Sequence, residues 1–188
     1  MSKYELELAE ASESEEDEES MPTAEHSSIC ANIITELNNF LRDKKLGKVF
    51  ESTLEYRFPN ENEDGKEVSR YIDVSFVRQE RLPSNLRTYL KLAPDLAVEV
   101  TSPSDKVYDI AYKIEEYQRA GVRLIWVIHP ANRTVDVYRL AKGFRLQSYF
   151  GDDELDGEDV IPGFKLKVSD IFDFSPEEEI EAMVGTVE

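Results

Sequence analysis

Near the start of the chain, apolar residues recur among polar ones with the spacing of one face of an α-helix. Between residues 29 and 41 apolar side chains recur three or four positions apart. The repeating positions are Ile29, Ile33, Ile34, Leu37 and Leu41. Thr23 and Ser27 are both residue types that cap helix N-termini, and Gly47 is suited to the turn that follows. The pattern predicts an amphipathic helix capped by one of these two residues.

Further along, the spacing changes to the alternation that is typical of half-buried strands. Residues 48–58 and 69–77 each predict one strand, and the Asp64-Gly65 pair between them is a hairpin turn signal. A helical pattern returns at 107–120 and ends at Gly121, and short closing helices are predicted at 168–174 and 175–184. The remaining predicted strands are 95–100, 122–130, 133–140 and 143–150.

The strand, helix and strand between residues 95 and 129 predict a parallel crossover, which is right-handed in nearly all proteins. The other strands alternate like antiparallel neighbours. The expected fold is therefore a single α/β domain with a mixed sheet. We expect a disordered acidic tail at 1–20, the folded domain at 21–174, and an acidic helix or tail at 175–188.

Composition changes this picture in only a few ways. No apolar run approaches 18 residues and the N-terminus has no signal-peptide core, so no membrane partner and a cytoplasmic location are expected. The net charge of −18 comes from the ends and the loop 151–159, while residues 21–150 carry a net charge near +1. Charge therefore neither supports nor excludes nucleic acid as a partner. The lone Cys30 excludes an internal disulfide and is predicted to be a buried thiol.

Two carboxylates stand inside strands that are otherwise apolar. Glu99 interrupts the buried sequence LAVEV, and Asp73 interrupts YIDVSFV. A buried charge is costly unless it is paired or binds a metal. If these strands are neighbours, both side chains can point into one pocket, where two oxygen ligands suit Mg²⁺ or Mn²⁺.

A lysine is expected to join this pair. The strand from Glu99 to Pro103 runs about 13 Å and the helix from Asp105 to Lys113 returns about 12 Å, so Lys113 lies level with Glu99. Two carboxylates, a divalent metal and a lysine are the groups that phosphodiester hydrolysis requires. The alternative is a solvated Lys113 paired with Asp109.

Three further residues are candidates for an accessory role in the site, and each has an alternative interpretation. Asp95 either caps a turn at the start of its strand or is an outer metal partner. Glu51 either joins the acidic pocket or faces solvent. His26 either orients a group in the pocket or lies at the surface near the helix start.

The sequence resembles the Uma2 family, a group of domains of unknown function. The resemblance rests on PDLAVEVTSPSD, YKIEEYQRAGVRLIWVIHP, RTVDVYR and VIPGFKL, together with MPTAEHSSI around His26. It spans residues 21–168, and it implies the restriction-endonuclease-like fold of the PD-(D/E)XK nuclease superfamily. That fold is a mixed β-sheet flanked by helices. The implied metal ligands are Asp73 and Glu99.

Two positions depart from the superfamily pattern. Its proline-aspartate pair is Ile72-Asp73 here, and the position of its lysine is occupied by Thr101. The resemblance implies that this lysine has moved to the following helix, where it is Lys113.

The expected function is a metal-dependent endonuclease that uses Mg²⁺ or Mn²⁺ and cleaves nucleic acid, with DNA favoured. Two alternatives remain open. One is a catalytically silent member of the same fold that binds nucleic acid or protein, and the other is an interaction protein whose acidic tails bind basic partners. A homodimer is also left open.

Overall fold

A computed structural model describes residues 22–61, 67–102, 107–140 and 145–173. Its main element is a six-stranded mixed sheet with strands in the order β1-β4-β5-β6-β7-β8, and two smaller two-stranded sheets flank it. The strands are β1 (Gly47–Glu51), β2 (Glu55–Glu61), β3 (Glu67–Tyr71), β4 (Val74–Arg78), β5 (Leu96–Val100), β6 (Leu124–His129), β7 (Thr134–Arg139), β8 (Arg145–Phe150), β9 (Glu154–Asp156) and β10 (Lys165–Lys167). The helices are α1 (Ala24–Leu41), α2 (Val107–Ala120) and α3 (Val168–Ile171).

Helix α1 forms as the apolar spacing predicts. Thr23 is its N-cap and accepts a hydrogen bond from the backbone N–H of His26, so the first of the two predicted caps is used. The apolar stripe is buried against one face of the main sheet. This packing fixes the first turn of the helix near the ends of β1, β4 and β5, where the candidate site lies.

The two long predicted strands before residue 78 are each divided in two. Residues 48–58 break at Ser52 and Thr53 into β1, which pairs with β4, and β2, which pairs with β3. Residues 69–77 break at Ile72 and Asp73 into β3 and β4. A single strand in either place was therefore a wrong prediction, because each half pairs in a different sheet. The predicted Asp64-Gly65 turn lies outside the described residues.

The crossover between β5 and β6 has the predicted parallel pairing, with Leu96 opposite Leu124 and Val100 opposite Ile128. Helix α2 connects the two strands, and the residue after it, Gly121, has φ 87°, a left-handed conformation that glycine adopts without strain. All five residues of β5 are buried, as expected for a central strand covered on both faces.

Two apolar cores lie on opposite faces of the main sheet. The face towards α1 buries Val98, Trp126 and Phe164, and α3 completes this core. The face towards α2 buries Ala97, Tyr117 and Val127 together with residues of the β2–β3 hairpin. Since side chains alternate along β5, Glu99 shares the face of Ala97 and points towards α2.

The acidic segment 151–159 contains one short strand between turns. After a turn at residues 151–153 the chain forms β9, which pairs with β10, a hairpin that the sequence pattern does not predict. The predicted helix at 168–174 is present as α3. The segments 1–20 and 175–188 lie outside the described residues.

Candidate active site

Glu99 is a buried acid held by two donors from helix α2. Its side chain is only 5% exposed, Nζ of Lys113 lies 2.8 Å from Oε2, and the hydroxyl of Tyr117 donates to Oε1 across 2.5 Å. Positions 113 and 117 are one helical turn apart and therefore project from the same side of α2 towards β5. The structure therefore places Lys113 beside Glu99, as the matching lengths of the strand and the helix predict.

Burial dominates the electrostatics of this pair. Loss of solvation raises the pKa of Glu99, the Lys113 ammonium acts against that rise, and the charge of Asp73 adds to it. Burial, and then the charge of Glu99, also raise the pKa of Tyr117, so its phenol stays a donor. The lysine and tyrosine therefore favour an ionised carboxylate in surroundings that otherwise oppose one.

Asp73 occupies the break between β3 and β4 and not the interior of a strand. The β4–β5 register ends with Val74 opposite Val98, which places Asp73 across from Glu99 just beyond the ladder. Oδ2 of Asp73 accepts the backbone N–H of Val100 at 2.8 Å. The carboxylate of Asp73 thus replaces the acceptor that β5 lacks beyond the β4–β5 ladder. This hydrogen bond fixes the position of the carboxylate.

His26 reaches the same carboxylate from the first turn of α1. Its Nε2 lies 3.2 Å from Oδ2 of Asp73, and its Nδ1 lies 3.8 Å from the sulfur of Cys30. The hydrogen bonds to Asp73 and then to Cys30 raise the pKa of His26 to about 10, although burial acts in the opposite direction. The sequence left open whether His26 lies in the pocket or at the surface, and the structure places it in the pocket. Cys30 is only partly buried, so the predicted buried thiol was wrong.

These groups line one open cavity of about 570 Å³. Its walls include His26, Asp73, Val100, Ser102 and Lys113. Glu51, at the end of β1, also lines the cavity, and its exposed carboxylate accepts a hydrogen bond from Thr53. The structure therefore brings Asp73, Lys113, His26 and Glu51 to one cavity, with Glu99 behind Lys113.

Asp95 is used elsewhere. It lies at the opposite end of β5 from Glu99, where Oδ1 pairs with Arg81 at 2.8 Å and Oδ2 accepts the backbone N–H of Arg78 at 2.9 Å. Its side chain is 2% exposed. Four strand residues separate Asp95 from Glu99, about 13 Å, so it holds the connection after β4 and does not reach the cavity.

The donor set fits a divalent cation that retains water ligands. In the described part of the chain, no three His, Cys, Asp or Glu side chains are grouped as ligands of one metal ion. Mg²⁺, however, usually takes one or two carboxylates and keeps several waters. Both contacts of Asp73 go to Oδ2, and no described residue donates to Oδ1. Oδ1 of Asp73 and the remaining lone pairs of Glu99 are therefore suitable oxygen donors.

Sequence reasoning missed two parts of this arrangement. Tyr117 falls in the helical pattern at 107–120 and was not singled out, although a tyrosine one turn after Lys113 is a recognisable donor for the same acid. The hydrogen bond from the backbone N–H of Val100 to Asp73 could not be predicted from the sequence. It forms only because the pairing of β4 with β5 stops next to Asp73.

Within the described residues, no helix combines the length and the apolar character needed to cross a membrane.

Comparisons with known proteins agree with the geometry. A crystal structure described as "a putative nuclease belonging to DUF820 from Anabaena variabilis ATCC 29413" superposes with a TM-score of 0.69 and 22% sequence identity. The match covers 82% of this chain and 83% of that chain. Among curated proteins, none matches at a significant level. The profile of the Uma2 family, described as "Putative restriction endonuclease", matches residues 10–169. Because that match spans well over half of the sequence, the chain belongs to the Uma2 family and has the restriction-endonuclease-like fold.

Proposed function

We propose that this protein is a divalent-metal-dependent nuclease that hydrolyses phosphodiester bonds of nucleic acid, with DNA as the expected substrate. The observation that carries the proposal is the buried Glu99 carboxylate, held by Lys113 directly behind a cavity whose wall includes Asp73. A structural ion pair would not require a second carboxylate opposite Glu99 at the end of the ladder. Membership of the Uma2 family supports the same reaction class.

Asp73 and Glu99 would hold the metal, through Oδ1 of Asp73 and the outer lone pairs of Glu99. A bound Mg²⁺ or Mn²⁺ would polarise the scissile phosphate and lower the pKa of a water molecule. The protein prepares these ligands in advance. Val100 and His26 hold Oδ2 of Asp73, while Tyr117 holds Oε1 of Glu99.

Lys113 supplies the positive charge of the site. Its side chain is 36% exposed, so the ammonium that pairs with Glu99 also reaches the cavity. In this position it can bind a nonbridging phosphate oxygen and stabilise the charge that develops there, or it can orient the attacking water. This role replaces that of the lysine which the superfamily carries two residues after the glutamate, where this chain has Thr101.

Protonated His26 adds a second cation beside Asp73. Its raised pKa keeps the imidazole charged at neutral pH, and it contacts only the oxygen that Val100 already occupies. His26 thus orients Asp73, and it lines the wall that a phosphate would face. Glu51 stands at the edge of the cavity as an accessory carboxylate.

Calorimetric titration with Mn²⁺ and Mg²⁺ tests the metal site directly. We expect one site in the wild type that is lost in Asp73→Asn, because the amide keeps an acceptor for Val100 but removes the negative charge. Asp152→Asn is the matched control, since Asp152 is exposed in the turn after β8. Equal affinity in Asp73→Asn and the wild type would contradict the proposal.

Cleavage is then tested on single-stranded and double-stranded DNA and RNA with each metal. We expect hydrolysis by the wild type and by Asp152→Asn, and none by Asp73→Asn or Glu99→Gln. Metal binding without hydrolysis of any of these substrates would instead favour the catalytically silent alternative.

A further inference from the structure

A second cavity adjoins the first one and is not used by the proposed chemistry. It measures about 520 Å³ and is lined by α2 on one side and by residues of β6, β7 and β8 on the other. Cavities of this size that combine apolar walls with a few polar groups are typical ligand sites. Its position at the carboxyl ends of β5 and β6, the two parallel strands of the sheet, is where open α/β sheets bind ligands.

One end of the cavity carries an oriented imidazole. Nε2 of His129 lies 3.2 Å from Oδ2 of Asp136, and the hydroxyl of Ser148 donates to the other oxygen of that carboxylate. In the tautomer that carries its proton on Nε2, towards Asp136, Nδ1 is an acceptor. Nδ1 lies 3.4 Å from Thr101, whose hydroxyl donates to the carbonyl of Ile128. His129 can therefore accept a hydrogen bond from a ligand.

The walls of the cavity are apolar and partly accessible. Ile110 and Ile114 form the side towards α2, and Leu146, which is 49% exposed, forms the side towards β8. Tyr138 lies between them on β7. A flat ring that enters the cavity would thus be packed between aliphatic and aromatic side chains, with its edge facing His129.

The charged side chains among the described residues that line the cavity are acidic and disfavour a phosphate. Glu115 and Asp136 both line it, and among the described lining residues no lysine or arginine offsets them. The complementary ligand is therefore neutral, flat and equipped with N–H donors. A nucleobase has this chemistry, whereas a free phosphate or an acidic peptide does not.

The cavity lies next to the candidate active site. Ser102 lines both cavities, and Val100 and Thr101, its two predecessors at the end of β5, face one cavity each. A phosphate beside Lys113 and a base beside His129 would thus be bound on the two sides of one short segment.

We infer that this second cavity binds an unstacked nucleobase adjacent to the scissile phosphate. The inference rests on the proposed nuclease function. It names the substrate class as single-stranded nucleic acid or a duplex from which one base is turned out, because a base that is stacked within a duplex is not free to enter a cavity.

The test is calorimetric titration with the four deoxynucleosides in metal-free buffer. Nucleosides carry no phosphate, so their binding does not depend on Asp73, Glu99 or a metal. We expect at least one nucleoside to bind the wild type with millimolar affinity or better. Ala111→Phe fills the cavity from an exposed position of α2 and should weaken binding at least about tenfold. Ala131→Phe is the matched control, since Ala131 is exposed on the turn after β6 and should leave the affinity unchanged.

His129→Leu is a second variant that keeps the apolar volume and removes the acceptor. It should weaken binding about tenfold, the effect of one lost hydrogen bond of about 1.4 kcal/mol. The inference would be overturned if the wild type bound no nucleoside. It would also be overturned if Ala111→Phe and His129→Leu bound nucleosides as tightly as Ala131→Phe. The Mn²⁺ titration of the same proteins reports on the proposed function separately, because nucleoside binding and metal binding can each fail alone.

Discussion

The Lys113 ammonium lies 2.8 Å from a carboxylate of Glu99 that is 5% exposed, and both residues belong to the single crossover unit of β5 and α2. The pair is therefore fixed by local structure. Its partners in the proposed reaction are Asp73, from the break between β3 and β4, and His26, from α1. Substitutions in the Glu99–Lys113 pair and substitutions of Asp73 or His26 should therefore have different effects.

Replacing Lys113 with alanine should reduce both cleavage and stability. Loss of one charge-stabilising donor typically lowers a rate about 10²–10³-fold. Stability should fall by about 1–3 kcal/mol, because Glu99 stays buried with Tyr117 as its remaining donor. Kinetics under single-turnover conditions and urea denaturation measure the two effects.

Lys167→Ala, an exposed lysine on β10, is the control for this substitution and should change neither quantity. In a Glu99→Gln background, Lys113→Ala should cost less stability, since no buried charge remains to be compensated. Equal costs in both backgrounds would contradict the assigned pairing.

Tyr117→Phe should weaken metal binding without disturbing the core. The phenylalanine ring fills the same space, but Oε1 of Glu99 loses its donor. Groups that orient a metal ligand typically contribute about 10–100-fold to affinity or activity. Calorimetry with Mn²⁺ should show this loss, while Tyr71→Phe, at a tyrosine that is 60% exposed, should retain wild-type affinity.

The protonation of His26 should make stability depend on pH. The hydrogen bond to Asp73 raises the pKa of His26 from 6.5 to about 10 in the folded chain. Its contribution to folding is therefore complete below pH 6.5 and is lost as the pH rises towards 10. The difference in free energy of unfolding between wild type and His26→Gln should shrink over that interval in metal-free buffer. A constant difference across the interval would show that the charged form does not stabilise the fold.

Gly47→Ala should destabilise the sheet at the edge opposite β8. A Cβ atom at Gly47 would lie 2.2 Å from the carbonyl oxygen of Val77 and 2.5 Å from the ring of Phe76. Strand β4 must shift to accommodate it, at a cost of about 1–3 kcal/mol. Urea denaturation measures the change, and Lys48→Ala at the next, exposed position should have a much smaller effect.

The sequence predicted the parts of the site that local rules determine. Glu99 was visible because an acid inside LAVEV conflicts with burial, and Lys113 because strand and helix lengths match. The fold class followed from the apolar crossover between β5 and β6, and the family resemblance pointed to the same architecture.

The parts it could not supply depend on tertiary pairing. The alternation of apolar and polar residues continues through Ser52 and Thr53. The spacing therefore does not indicate that β1 and β2 belong to different sheets. Similarly, the break at Asp73 exists because β3 and β4 have different partners. The contact of His26 with Asp73 joins residues 47 positions apart, and no periodicity encodes it.

The donors of Glu99 also restrict how the protein can move. If α2 lifted away from β5, the carboxylate would lose both Lys113 and Tyr117 while still surrounded by apolar side chains. Such an opening is costly, so α2 is a fixed wall and not a lid. The cavity wall that Lys113 forms is therefore in place before any ligand binds.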